Sequence, residues 1–419
     1  MKFRSRRWGT DVMLVLVACL ALVGGLVGMQ WLREDASRQP KSIVTTWTED
    51  PKTSRAFTWY TVSPDTGTVI ELIEEDTGTL GATDSSMITI KGSRQTIDTG
   101  NQGMQAVHRV TVTDLKPGTT YHYRVGSGQE GEWSQSLQFT TEALDSEEKA
   151  LTFLHVADSQ GKTEADFKLW GNTLIQALNT FPVTQFIIHG GDLTENPEDQ
   201  LAWDSFFIEA PMLSRIPLFP VTGNHDEIDG EAKRYLSHFQ LPDNGAQGSI
   251  PGTTYSFDYG PVHVVVMNTE SNRKQQTEWL RQDLKNNTKE WTIVAMHRGA
   301  YGGNAYQKVQ DWVEVFDEFK VDLVLQGHNH EYSRSYPLRG GKVVGDEDNV
   351  VKQREGTVYI VPNAAGQKFN EKKEDQLYHQ VHFQNNKQMF VGMTIAESQL
   401  VYQAYTVDGE LVDEVTLIH

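Results

Sequence analysis

From Leu151 onward the chain repeats one pattern: a short apolar run, a carboxylate, amide or imidazole residue at its end, then a stretch long enough for a helix. The runs are "LTFLHVADSQG", "QFIIHGGDLTEN", "PLFPVTGNHDE", "WTIVAMHRGAY" and "DLVLQGHNH". Helical spacing fills Glu164 to Leu178, Asp199 to Leu213, Gln275 to Asn286 and Tyr306 to Phe319. A strand pair, "TYSFDYG" and "VHVVVMNT", stands in the middle, and "TVYIVPN", "MFVGMTIAES", "LVYQAYTV" and "LVDEVTLI" return to strands at the end. Runs apolar on both faces, separated by amphipathic segments, imply an α/β layer structure over residues 150–419. The polar segment Gln367 to Gln388 reads as a surface excursion.

Strand ends matter because ligands bind beyond the carboxyl ends of strands in open α/β sheets. One Asp after a strand is an ordinary helix cap. Five successive strand ends bearing Asp158 and Gln160, Asp192, Asn224 with His225 and Asp226, His297, and His328 with His330 exceed what capping explains. Oxygen and imidazole donors mixed in this way suit hard and borderline divalent ions. The set is too large for one ion and sufficient for two that share a carboxylate, a clamp suited to displacement at phosphorus. His328 and His330, two apart on a segment read as extended, would face one cleft.

Ahead of this region, residues 42–141 form a series of short alternating strands, among them "SIVTTW", "AFTWYTV", "TVIELIE", "AVHRVTVTDL", "TYHYRVG" and "SLQFTT", broken by Gly, Asp, Pro and Ser. Such a series predicts an antiparallel sandwich. The acidic "TEALDSEEKA" that follows reads as a linker. Residues 1–33 carry Lys2, Arg4, Arg6 and Arg7 before an apolar run from Val12 to Met29, the pattern of a transmembrane helix or signal anchor with its basic flank inside. That pattern would leave the rest of the chain outside the cell membrane, or secreted if the segment is cleaved.

The 419 residues imply more than one folded unit. Asp and Glu outnumber Lys and Arg by 56 to 37, so nucleic-acid binding is not expected. Cys19 is the single cysteine, which excludes an internal disulfide or a thiolate metal site.

"GD", "GNHD", a strand-borne "MH" and "GHNH", in this order, resemble the calcineurin-like metallophosphoesterases, whose sheets are sandwiched by helices. "GHNHEYSRSYP" and the preceding sandwich are most similar to the purple acid phosphatase branch and its bacterial relatives. "DLKPGTTYHYRV", Asp114 to Val125, resembles the corner of fibronectin type III domains, in which Tyr121 or Tyr123 would tie back to the backbone.

The resemblance implies two metal ions of the Fe, Mn, Zn or Ca kind, divalent or trivalent. One ion would take Asp192, Asn224, His297 and His328, and the other Asp158, Asp192 and His330; the latter's remaining place would fall to the Gln160 carbonyl oxygen or to water, or the ion would be held weakly. Metal-bound hydroxide would attack in line at phosphorus on a small phosphate monoester. His225 would contact the phosphoryl group and protonate the leaving oxygen, with Asp226 orienting it. The same centre serves phosphodiesters, and a noncatalytic surface-binding protein is the alternative of a different class.

Three departures stand out. Gln160 occupies the place of the usual Asp-x-His histidine, Glu195 that of the purple acid phosphatase tyrosine, and "GGNAYQ" lacks the extra substrate histidine. Arg298, Tyr301, Tyr332 and Arg334 remain as polar groups near the motifs.

Overall fold

The computed structural model describes residues 36–75, 80, 86–144, 150–345 and 348–419. The expected anchor over residues 1–33 lies outside the described residues. Among them no helix is long and apolar enough to cross a membrane.

The amino-terminal unit is β-rich, and its described residues form two four-stranded sheets. One runs Lys41–Thr46, Arg55–Thr61, Met104–Val112, Ser93–Asp98, and the other Ile88–Lys91, Val69–Glu74, Thr120–Gly126, Leu137–Thr140. Inward positions of both sheets, including Phe57, Trp59, Ile70, Leu72, Val110, Tyr123 and Phe139, form its core. Alternation along each strand sends these residues to one face. The Lys116 N–H donates to the Tyr121 hydroxyl at 3.0 Å, so Tyr121 makes the backbone tie. Tyr123 instead reaches the second unit, where its hydroxyl donates to the Ser214 carbonyl.

The second unit holds two seven-stranded sheets. The first runs Leu218–Pro220, Phe186–His189, Leu151–Val156, Met389–Ala396, Gln399–Thr406, Leu411–Ile418, Val350–Lys352. The second runs Tyr255–Tyr259, Val262–Met267, Trp291–Met296, Leu323–Leu325, Val358–Val361, Tyr332–Ser335, His379–Phe383. The three strands that precede Asp158, Asp192 and Asn224 are parallel neighbours, and so are those that precede His297 and His328.

The runs are largely apolar because both faces are covered, and their few polar members, Thr152, His155, His189 and Thr292, are buried with them. Val264, Val266, Ile293 and Ala295 join the core shared with the first sheet. Their alternates Val265, Met267, Val294 and Met296 meet Leu280, Leu284, Trp312 and Phe316 of the helices Arg273–Asn286 and Gln310–Phe319. On the first sheet the helix Glu164–Thr180 starts at a capping box, Thr163 with Asp166, and buries Phe167, Trp170 and Leu174. The helix expected to run from Asp199 to Leu213 stops at Ile208 and gives way to a short 3-10 turn at Pro211–Ser214, because proline cannot continue the hydrogen-bond ladder.

The two units share a packed boundary. Trp47 is 1% exposed and lies against Phe219, Phe257 and Tyr259. The Gln240 amide donates to the Phe57 carbonyl at 2.6 Å, and Arg109 donates to the Leu236 carbonyl at 2.9 Å.

Tyr332 and Arg334, set aside above as polar groups near the motifs, are structural. Arg334 makes a bidentate pair with Asp413, Nε to Oδ2 at 2.7 Å and Nη2 to Oδ1 at 2.9 Å, and the Tyr332 hydroxyl donates to the same carboxylate at 2.6 Å. Asp413 belongs to the first sheet and Arg334 to the second, so the pair clamps one sheet to the other. Removing one partner of a buried pair leaves the other charge unpaired. Asp413→Ala is therefore expected to cost about 3–5 kcal/mol in denaturant unfolding, whereas removing the exposed Asp408 should leave the midpoint nearly unchanged.

Candidate metal centre

Every candidate ligand sits on a loop that leaves the carboxyl end of a strand, and several of these loops turn through left-handed backbone. Asp158, Asp192, His328 and His330 have φ of 56°, 57°, 72° and 53°. Left-handed non-glycine residues cost about 1–3 kcal/mol each and persist only where surrounding structure fixes them. The GHNH segment is thus a turn and not the extended stretch the two-residue spacing suggested. Its histidines still reach one cleft, because two left-handed residues fold the backbone around it.

Two glycines permit close approach. A Cβ on Gly223 would lie 2.2 Å from Asp192 Oδ1, and one on Gly191 would lie 2.5 Å from His297 Nδ1.

The side chains collect into two groups that share Asp192. Ligand atoms of Asp192, His297 and His328 lie within 4.8 Å of one another, and so do those of Asp158, Asp192 and His330. Around His297 Nε2 stand Asp192 Oδ2, Asn224 Oδ1 and His328 Nδ1, each at 3.2 Å. A single N–H can serve only one of these, so the donor set converges on a point suited to a cation. In the second group His330 Nε2 is 3.3 Å from Asp158 Oδ1. Gln160 is 1% exposed, its Nε2 lies 3.5 Å from Asp192 Oδ2, and its Oε1 has no hydrogen-bond partner. A buried carbonyl oxygen without a partner, on a side chain whose amide nitrogen already touches the shared carboxylate, is a group that a metal ion could satisfy.

Backbone carbonyls orient two of the imidazoles. His297 Nδ1 lies 2.8 Å from the Gly190 oxygen and His330 Nδ1 lies 2.7 Å from the Lys368 oxygen. A carbonyl only accepts, so Nδ1 carries the proton in both rings and Nε2 is turned to the site. His328 differs: Arg298 Nη1 donates to its Nε2 at 2.8 Å. Ligation through Nδ1 therefore requires the proton to sit on Nε2 and Arg298 Nη1 to turn away. Arg298 stays anchored meanwhile, since its Nε lies 2.9 and 3.1 Å from the two Glu270 oxygens.

Charge in the site is uneven. Burial alone would raise the Asp192 and Asp158 carboxyls, but His297 beside the first and His330 beside the second hold both below the usual range. Burial likewise opposes charge on His297, and Asp192 outweighs it, lifting the imidazole to about 10. Burial, followed by His297 and Arg298, pushes His328 down to about 3.

Asp226 does not orient His225. Its carboxylate accepts from the N–H groups of Asp192 at 2.8 Å, Leu193 at 3.1 Å and Gly223 at 2.9 Å. Burial, then the nearby Asp192 charge, raises this carboxyl to about 7. The orienting group for His225 is the Glu195 carbonyl, 2.8 Å from Nδ1, while the His225 N–H donates to Asp192 Oδ1 at 2.8 Å.

The cleft over these residues has a volume of about 260 Å³ and is walled by Asn304, Lys368, Asn370 and Lys373. All its lining residues come from the second unit. Gln367 to Gln388 is consequently no mere surface excursion: it supplies the Lys368 carbonyl, part of this wall and the last strand of the second sheet. Asn304 was foreshadowed only by its place in "GGNAYQ". Tyr301 packs on Tyr359 and Tyr378.

Two layered sheets with a carboxylate-sharing donor cluster at their common edge define a metallophosphoesterase class of fold. Residues 151–332 match the calcineurin-like phosphoesterase family model, and residues 40–141 match that of the purple acid phosphatase N-terminal domain. The chain belongs to the calcineurin-like phosphoesterases of the purple acid phosphatase kind. Human acid phosphatase type 7 is 26% identical over 307 residues, covering 62% of this chain and 64% of its own length. Arabidopsis thaliana purple acid phosphatase 23 is 27% identical over 271 residues, 54% of this chain and 57% of its own. A Mycobacterium tuberculosis relative described as uncharacterized is 28% identical over 201 residues, 39% of this chain and 38% of its own. The chain thus spans less than two thirds of the length of these relatives. The solved purple acid phosphatase from yellow lupin seeds shares the fold, with a TM-score of 0.78 at 19% identity over 91% of this chain and 74% of its own.

The orphaned Gln160 oxygen generates a test. Gln160→His supplies a stronger donor at the same place, and competition with a chromogenic chelator should show one class of metal site tightened by about tenfold. Unchanged affinities would mean that this side chain does not face the second ion.

Proposed function

We propose that this chain is a two-metal phosphoesterase that hydrolyses small phosphate monoesters, held outside the cell membrane by its N-terminal segment. The observation that carries the catalytic reading is the sharing of Asp192 between two donor groups at one cleft. Asp158, Gln160, Asp192 and His330 would hold one ion, and Asp192, Asn224, His297 and His328 the other. When bound, such a pair activates water for attack at phosphorus and offsets charge on the phosphoryl oxygens.

The chain's own groups do the rest. The Glu195 carbonyl holds the His225 Nδ1–H, so Nε2 is the ring atom turned to the substrate; entering as the imidazolium, the ring passes its Nε2 proton to the leaving oxygen and is left neutral with the proton on Nδ1. Arg298, tethered by Glu270, can turn Nη1 from His328 to a phosphoryl oxygen. Lys368 and Lys373 add positive charge to the wall. A monoester dianion carries one charge more than a diester, which supports the monoester reading. The extracytoplasmic placement rests on Lys2, Arg4, Arg6 and Arg7 ahead of the apolar run Val12 to Met29.

The full chain, loaded in turn with Mn, Zn, Fe or Ca, should cleave p-nitrophenyl phosphate faster than bis-p-nitrophenyl phosphate. Cleavage of neither would refute the enzyme reading, and a preference for the diester would move the assignment to a phosphodiesterase. Asp192→Asn should lose both activity and bound metal, since it damages both groups at once.

Arg298→Ala tests the substrate contact. It should raise KM about tenfold with a smaller change in kcat, as expected for loss of one charge-assisted contact. An unchanged KM would confine Arg298 to its pair with Glu270.

A further inference from the structure

A second set of metal-ligating side chains lies in the segment that walls the cleft. Asp375, His379 and His382 each bring one ligand atom within 4.8 Å of the other two. His382 Nδ1 and Asp375 Oδ1 are 2.8 Å apart, and the two imidazole rings stand 4.1 Å apart at 48°. His379 Nδ1 accepts from the Gln376 N–H at 3.2 Å, while its Nε2 is buried without a hydrogen-bond partner.

A surface ion pair does not account for this arrangement. Asp375 is 70% exposed and already paired with Lys372 Nζ at 2.5 Å, which requires no imidazole. Behind the rings the situation is reversed. The His382 side chain is 2% exposed, and its Nε2 lies 3.4 Å from an oxygen of the fully buried Glu331 without hydrogen-bond alignment. The other Glu331 oxygen, Oε1, has no hydrogen-bond partner at all. A buried carboxylate and a buried imidazole nitrogen left this way are costly unless the ring is charged or bound on its other side.

We propose that Asp375, His379 and His382 form a third divalent-metal site, separate from the dimetal centre, for zinc or a similar first-row ion. Two imidazoles and one carboxylate suit such ions, with water completing the shell. Glu331 then takes the position of the carboxylate that receives the far N–H of a metal-bound histidine and fixes its ring. Lys372 leaves Asp375 Oδ1 when the ion arrives. The consequence reaches the cleft, because the ion pins the segment that carries Lys368, Asn370 and Lys373 against the strand Tyr332–Ser335.

The test counts zinc on the full chain, after chelator treatment and reloading, without substrate. Wild type should bind one equivalent more than Asp375→Ala or His379→Gln/His382→Gln, or bind that equivalent at least about tenfold more tightly. Asp375 is exposed, so its variant remains informative if the double histidine variant fails to fold. Zinc should also slow amide exchange over residues 372–383 in wild type and not in Asp375→Ala. Equal stoichiometry and affinity in wild type and folded Asp375→Ala, with no zinc-dependent protection there, would overturn the proposal. Neither readout involves phosphoester cleavage, so this outcome is independent of the activity assigned to the cleft.

Discussion

Three backbone N–H groups from two different loops end on one buried carboxylate, that of Asp226. This is the constraint on which the rest of the centre depends. Asp192 and Asn224 lie on separate connections, each free to wander at the end of its strand. By accepting from Asp192 and Leu193 on one side and Gly223 on the other, Asp226 fixes both connections in a single frame. The return contact, from the His225 N–H to Asp192 Oδ1, closes the frame and sets the His225 side chain on its rim. A buried carboxylate is tolerated only when its lone pairs are satisfied, and here the satisfying groups are the backbone of the site itself. The strain of a left-handed Asp192 is offset by the same bonds.

Much of this was legible in the sequence, for a definite reason. Strands buried on both faces are mostly apolar until they end, with Thr152, His155 and Thr292 as buried exceptions, so Asp158, Asp192, Asn224, His297 and His328 stand out against apolar runs. Their convergence follows from parallel pairing, which the alternation of strands and helices already implied. The expected α/β unit and the β-rich unit before it are both present. Polar edge strands were harder to see: Ser93–Asp98 is largely exposed and lacks apolar alternation, because nothing covers its outer face.

What the sequence hid were relations made only by tertiary structure. "GHNH" alone does not announce left-handed histidines, since that conformation is uncommon for any non-glycine residue, even for His, and is selected here by the loop. Asp226 looked like a partner for its neighbour His225, yet a side chain adjacent in sequence points elsewhere when the turn is tight, and a carbonyl from Glu195 took the role. Gln367 to Gln388 was read as solvent-facing because it is polar. Glu371 to Leu377 is indeed exposed, but the same segment also walls the cleft with Lys368, Asn370 and Lys373 and turns the Lys368 backbone carbonyl to His330.

The centre straddles two sheets, and this gives the Arg334–Asp413 clamp its importance. Asp158, Asp192 and Asn224 come from loops of the first sheet, while His297, His328 and His330 come from loops of the second. Apolar packing between sheets is strong but non-directional, so by itself it fixes their separation better than their lateral register. Catalytic and metal geometry is sensitive to displacements of about 1 Å. A bidentate guanidinium–carboxylate pair is directional. Arg334 lies on the strand that leaves the GHNH turn, so its pairing with Asp413, reinforced by Tyr332, holds the histidine turn in register with the sheet that presents Asp158 and Asp192. The buried charge is thus placed where position, rather than stability, is the quantity that most needs fixing.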